Sequence, residues 1–341
     1  MRLSFRGPLG WVVAAGLVIA ACGGGATTTT PQTSQAPASQ APAPSGPRLG
    51  SFDRPIILSF TPSQDTQRVT ASGSAITASL ERATGLRWKV NVPTSYAATI
   101  EGMCSGAVDV AFLAPLQMTL AIDRGCATPI LGALRNDDTG KPSTTYQSQI
   151  LVSAASGITD LNGLKGKKFA YVDALSASGY VYPVLTIKTK TNSDPKTFFS
   201  QTLFAGGHDK AALAVYQGTV DGAATFIDVR TSPGMPADIM TKTKVIDRAG
   251  PIPNDGAAVR KGFPAELATQ IQKSMADYSQ TDTGKAAFKA LYSWDGMQVV
   301  DAKFYDPMRE AAKLAGIDLQ GLAAATARPV ATPAPSPTKA P

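Results

Sequence analysis

The run Ser176-Ala177-Ser178-Gly179 gathers residues suited to holding an anion. It follows an apolar stretch, Lys168 to Asp173, that reads as a strand, and Ser176 stands where a helix N-cap belongs. The N–H groups of Ala177, Ser178 and Gly179 then precede any intrahelical acceptor. They point out of a helix end that carries partial positive charge. With the hydroxyls of Ser176 and Ser178 they form a donor set for a tetrahedral oxyanion, and Gly179 leaves out a side chain beside it. Pro183, one turn on, is expected to kink the helix. A capped helix that binds nothing would use the same residues, so the surroundings must decide.

Ser176, the chain's only histidine His208 and an acid could instead form a hydrolytic triad. No G-x-S-x-G elbow is present, and Ser176 begins a helix as a cap, which disfavours that chemistry. No metal-ligand spacing occurs, so neither metal nor other cofactor is expected. The formal charge of +7 falls to +5 if Arg2 and Arg6 leave with a leader, and no basic run is dense enough for a nucleic-acid groove.

The elements that must position this turn alternate strand and helix. Residues 55–60 read as a buried strand. Val69, Ile76, Leu80 and Ala83 mark one helix face, which stops at Thr84-Gly85. Trp88, Val90 and Val92 alternate as a strand, a helix starts near Ser95, and 108–112 is apolar and strand-like. Pro115 opens a helix and 130–134 is again a strand. The rhythm resumes after the loop 136–145, with strands at 148–154, 168–173, 201–204, 222–226 and 244–248 and helices near 178, 209–217 and 233–240. Pro251 to Asp255 interrupts it, 257–259 is extended, and helices close the chain near 264–279, 282–292 and 301–315. This order predicts right-handed crossovers and largely parallel sheets in an α/β protein of two lobes. The lobes span 51–147 with a return at 255–322, and 148–254, joined by crossings near 148 and 255 that frame a hinged cleft. The closing helices are expected to pack on the first lobe.

The ends carry different signals. Arg2 and Arg6 precede the apolar run Trp11 to Ala21, too short to span a bilayer core and suited to a signal peptide over 1–21. Ile19-Ala20-Ala21-Cys22 resembles a lipobox, which implies lipidation of Cys22. A tether (22–50) and a tail (323–341), rich in Ala, Pro, Thr and Ser, lack the apolar surface to fold. The two remaining cysteines, Cys104 and Cys126, follow consecutive helix-like segments and could pair after export or stay as buried thiols.

Five segments in order resemble the PhnD-type phosphate/phosphite/phosphonate-binding proteins of ABC importers. They are Tyr96 to Met103 with Val108 to Ala111, Asp160 to Asp173, Ser176 to Pro183, Gly207 to Asp221, and Ile252 to Asp255 with Val259 to Lys261. The resemblance covers roughly residues 55–280 and implies the two-lobed periplasmic-binding-protein type II fold with its hinged cleft. It implies that Ser176, Ala177, Ser178, Gly179 and His208 contact an anion, and that the phenols of Tyr96 and Tyr146 do as well. Asp228 and Asp255 match acidic positions that hold a ligand ammonium in family members reading aminoalkylphosphonates. Ala177 departs from the family's threonine and removes one hydroxyl donor, worth about 1.5–3 kcal/mol to a charged ligand. The expected protein is a monomeric extracytoplasmic lipoprotein, anchored to the membrane by Cys22, that delivers a small phosphonate-class anion to an ABC permease and its ATPase. A ligand sensor presenting the bound molecule to a membrane receptor is the alternative.

Overall fold

The computed structural model describes residues 46–137 and 139–326. The leader, Cys22, the tether before residue 46 and the tail beyond residue 326 lie outside the described residues. Residues 48–50 already belong to the folded chain, since Arg87 N–H bonds the Gly50 carbonyl at 2.8 Å.

Strand β1 (Ile56–Phe60) leads into helix α1 (Thr66–Thr84). Asp65 caps that helix by accepting from Arg68 N–H at 2.8 Å, and Gly85 ends it at φ +67°, a left-handed position that glycine adopts without strain. Between the caps Val69, Ile76 and Leu80 are buried, each stabilising the lobe by about 1.5–3 kcal/mol. Then come β2 (Trp88–Asn91), α2 (Tyr96–Ser105), β3 (Val110–Leu113), α3 (Pro115–Asp123), β4 (Ala127–Asn136) and the two-residue β5 (Pro142–Ser143). The second lobe holds β6 (Thr145–Ser153), β7 (Lys168–Tyr171), α4 (Tyr182–Thr191), α5 (Pro195–Phe198), β8 (Gln201–Phe204), α6 (His208–Tyr216), β9 (Gly222–Phe226), α7 (Ile239–Lys242) and β10 (Thr243–Pro253). The chain returns through β11 (Gly256–Arg260), α8 (Ala265–Gln280), α9 (Asp282–Tyr292), β12 (Gly296–Val299), α10 (Asp306–Ala315) and α11 (Leu319–Thr326). Cys104 and Cys126 are disulfide-bonded with Cα atoms 4.6 Å apart, tying the end of α2 to the start of β4.

One sheet has the order β12-β4-β11-β3-β1-β2, with β5 on β4, and the other β10-β6-β9-β7-β8. Parallel pairing, expected to dominate, is confined to β1 with β2 and β3 and to β7 with β8 and β9. Strands β4, β6, β10 and β11 pair antiparallel because they carry the chain between lobes in both directions. Pro251 and Pro253 fit β10 because it is an edge strand, where a missing N–H breaks no ladder on the open side. The two crossings are bonded to each other. Asn254 gives its N–H to the Thr144 carbonyl and its side-chain amide to the Ser143 carbonyl, both at 3.0 Å.

Three local departures have physical causes. The helix expected over 233–240 is reduced to Ile239–Lys242, because Pro233, Gly234 (φ +87°) and Pro236 break it. The four-residue β12 is too short to show a period. The tail expected from residue 323 begins inside α11. Helices α8 and α9 pack on α1, as the sequence leads one to expect, whereas α10 touches both α3 and α4. Arg309 on α10 bonds Asp123 at 2.6 Å, and Lys188 on α4 bonds the Leu314 carbonyl at 2.9 Å. No described helix is long and apolar enough to cross a membrane.

Candidate functional site

The turn after β7 is a π-turn, Ala177–Val181, that runs into α4. Pro183 explains it. Lacking an N–H, Pro183 cannot bond the Gly179 carbonyl, which instead accepts from Val172 N–H at 3.2 Å. The first backbone bond of the turn is Val181 N–H to the Ser176 carbonyl at 3.2 Å. Ser176 Oγ caps Gly179 N–H at 3.1 Å. The N–H groups of Ala177 and Ser178 therefore precede the turn's own bonding, and the Ser176 hydroxyl hydrogen remains available as a donor. A Cβ on Gly179 would lie 2.5 Å from the Val172 side chain and 2.9 Å from Ser176 Oγ, so the missing side chain lets the turn pack on the end of β7 and leaves the Ser176 hydroxyl in place. The Ala177 methyl is likewise in the apolar core, leaving only its N–H to offer.

Ser176, Ser178, His208 and Tyr146 from one lobe meet Tyr96 and Arg135 from the other around an interlobe cavity of about 20 Å³. By that measure the shut cleft holds about one water. Across the cleft His208 N–H donates to the Ser63 carbonyl at 2.9 Å, and Arg68 of α1 bonds the Pro233 carbonyl.

His208 is the first residue of α6 and is 5% exposed. Its Nδ1 accepts the Phe226 N–H at 3.2 Å, so the neutral ring carries its proton on Nε2. Nε2 lies 3.5 Å from Ser176 Oγ. Burial first, then the Arg135 charge, push the imidazole down to about 3, which keeps it neutral. The pair is thus two donors facing one place. A serine nucleophile needs an unprotonated nitrogen there, and the other ring nitrogen faces a backbone N–H where a triad has a carboxylate. Tyr96 is buried, and burial together with the Asp173 and Asp255 carboxylates pushes its phenol well up, so it too is a donor. Burial also pushes the Tyr146 phenol up; it donates to Ser178 Oγ at 3.3 Å, while Ser148 Oγ holds the Ser178 carbonyl at 2.7 Å.

The two acids part company. Asp228 lies outside the cavity wall, its carboxylate gripped by Arg230 through Nε at 2.9 Å and Nη2 at 2.6 Å. Burial pushes this carboxyl up, but the Arg230 hydrogen bonds outweigh it and hold it below its ordinary value. Asp255 is in the wall, and its Oδ2 accepts from Arg135 Nη2 at 2.8 Å and Trp294 Nε1 at 3.2 Å. Arg135 is the residue that sequence reasoning missed. Its one signal is a lone arginine closing the apolar strand Ile130-Leu131-Gly132-Ala133-Leu134. Among the described residues no group of three or more His, Cys, Asp or Glu could hold a metal ion.

Two lobes around a donor-lined cleft give the two-lobed periplasmic-binding-protein type II fold. The chain belongs to the family described as "ABC transporter, phosphonate, periplasmic substrate-binding protein", which matches residues 58–305. It is similar to the phosphate-import protein PhnD of Mycolicibacterium smegmatis, 34% identical over 184 residues covering 51% of this chain and 56% of that protein. It is also similar to the phosphonates-binding periplasmic protein of Escherichia coli, 28% identical over 220 residues covering 62% of each. The chain thus spans less than two thirds of the length of the curated relatives it matches. Among solved structures, the binding-protein component of an ABC phosphonate transporter from Pseudomonas aeruginosa aligns with a TM-score of 0.68 at 23% identity, over 76% of this chain and 86% of that one. PhnD1 of Prochlorococcus marinus, in complex with methylphosphonate, aligns at 0.66 with 14% identity, over 76% and 97%. At these identities the two structures establish the fold.

Proposed function

We propose that this protein captures a phosphonate-like oxyanion (phosphonate, phosphite or phosphate) in its interlobe cleft and delivers it to the permease and ATPase of an ABC importer. The observation that carries the reading is the convergence of buried donors, Ser176 Oγ, Ser178 Oγ, His208 Nε2 and the Tyr96 phenol, on one cavity between the lobes. Family membership supports it, as do the names of the relatives, one a phosphate importer and one a phosphonate binder, and the methylphosphonate complex of a structural neighbour. Ala177 contributes its backbone N–H, Gly179 gives its N–H to Ser176 Oγ and so orients that hydroxyl, and Tyr146 orients Ser178. Asp228 acts on Arg230 and not on the ligand.

Capture proceeds by closure. The anion first meets Ser176, Ser178 and His208 on the lobe of β6 to β10. Tyr96 and Arg135 then reach it from the other lobe, so the bound anion favours the closed state by its extra contacts there. The permease reads that state. The protonated His208 Nε2 leaves Ser176 without a base, which supports binding without catalysis. The protein acts outside the cytoplasm as a monomer with lipidated Cys22 as its anchor, and its folded lobes run 51–147 with 255–322, and 148–254.

Calorimetry tests the site directly. The double variant Ser176→Ala/His208→Ala is expected to abolish binding of phosphate, phosphite and methylphosphonate while unfolding as one cooperative unit. Unchanged affinity in the double variant would overturn the site assignment.

A further inference from the structure

Arg135 closes β4 at the cleft and is 8% exposed. One of its three nitrogens, Nη2, is fixed on Asp255 Oδ2 at 2.8 Å. The guanidinium carbon lies 4.6 Å from the Tyr146 ring centre and 5.0 Å from that of Phe226, so two aromatic rings hold its plane. Its Nε and Nη1 are buried in the cavity region and have no acceptor among the described residues. Both nitrogens carry N–H donors of a permanently charged group, and each can serve an oxygen of an anion.

We propose that Arg135 is the specificity-determining residue of the cleft, selecting a compact oxyanion without a cationic tail (inorganic phosphate, phosphite or methylphosphonate) and rejecting aminoalkylphosphonates. The inference rests on reading the cavity as an oxyanion site. Its core is the fate of the nearby carboxylates. Asp255 Oδ2 is already held by Arg135 and Trp294. Asp228 is chelated by Arg230 outside the wall. Asp173, also outside the wall, accepts Leu175 N–H at 2.8 Å. A ligand ammonium would therefore find no wall carboxylate free of a built-in cation, and it would meet the Arg135 charge in a dry site.

The test is calorimetric titration of the full-length chain with inorganic phosphate, phosphite, methylphosphonate and 2-aminoethylphosphonate, repeated on Arg135→Gln and Arg135→Lys. The wild-type chain is expected to bind a compact anion at least ten-fold more tightly than 2-aminoethylphosphonate. Arg135→Gln should lower affinity for that anion ten-fold or more and shrink the ratio, and Arg135→Lys, which keeps the charge but not the ring-stacked guanidinium, should fall between. Equal or tighter wild-type binding of 2-aminoethylphosphonate overturns the proposal while leaving the oxyanion site standing. So does a ratio unchanged in both variants. The wild-type ratio decides even if Arg135→Gln fails to fold. Binding of none of the four ligands would overturn the oxyanion reading itself.

Discussion

In the first lobe Arg260 meets Asp109 at 2.9 Å, and in the cleft Arg135 meets Asp255 at 2.8 Å. Each pair sets one buried residue, Asp109 or Arg135, against a half-buried partner, and both join residues more than a hundred positions apart in the chain. They differ in what else their atoms touch. Asp109 uses Oδ1 for Arg260, with Arg54 at 3.7 Å, and Oδ2 for the Ile57 N–H at 3.0 Å. Arg260 gives Nη1 to the Lys261 carbonyl at 3.1 Å. That pair stitches β1, the approach to β3, and β11 together. In the cleft pair two of the three guanidinium nitrogens have no acceptor among the described residues. A buried charge held on several sides builds structure, and one held on a single side is poised for a ligand.

Breaking the first pair should have the largest effect. Asp109→Ala leaves the half-buried Arg260 guanidinium and the Ile57 N–H without their acceptor, and stability should fall by about 3–5 kcal/mol in denaturant unfolding. A loss below about 1 kcal/mol would show that the pair is not what joins these strands. The cleft pair should respond in the opposite way. Arg135→Met with Asp255→Asn removes both charges together, so stability should stay within about 1 kcal/mol of wild type while oxyanion affinity collapses. A large loss of stability in this double variant would make the two pairs alike and erase the contrast.

The legible parts of the site were local. A strand, a short loop and a serine cap announce a helix start whatever the rest of the chain does, and Ser176 is such a cap. The π-turn was not legible, because Pro183 reads equally as a kink or a widened turn until the Val172 N–H claims the Gly179 carbonyl. The parallel halves of both sheets followed from alternating strands and helices, but the antiparallel halves depend on how often the chain crosses between lobes. Asp228 has its partner two residues away in Arg230, a contact within reach of sequence reasoning. Arg135 and Asp255 stand 120 residues apart, and no local pattern joins them. His208 could be singled out as the only histidine, yet its tautomer is set by the N–H of Phe226, a residue on another element.

That single histidine makes the central claim directly measurable. Nitrogen NMR of the full-length chain labelled at histidine reports one imidazole, without assignment. The cleft described above predicts a neutral ring protonated at Nε2, with no titration between pH 8 and 5, since burial and Arg135 push the group down to about 3. It also predicts that saturating phosphate moves the Nε2 resonance. A titration near the ordinary histidine value, a proton on Nδ1, or a resonance indifferent to the anion would contradict it.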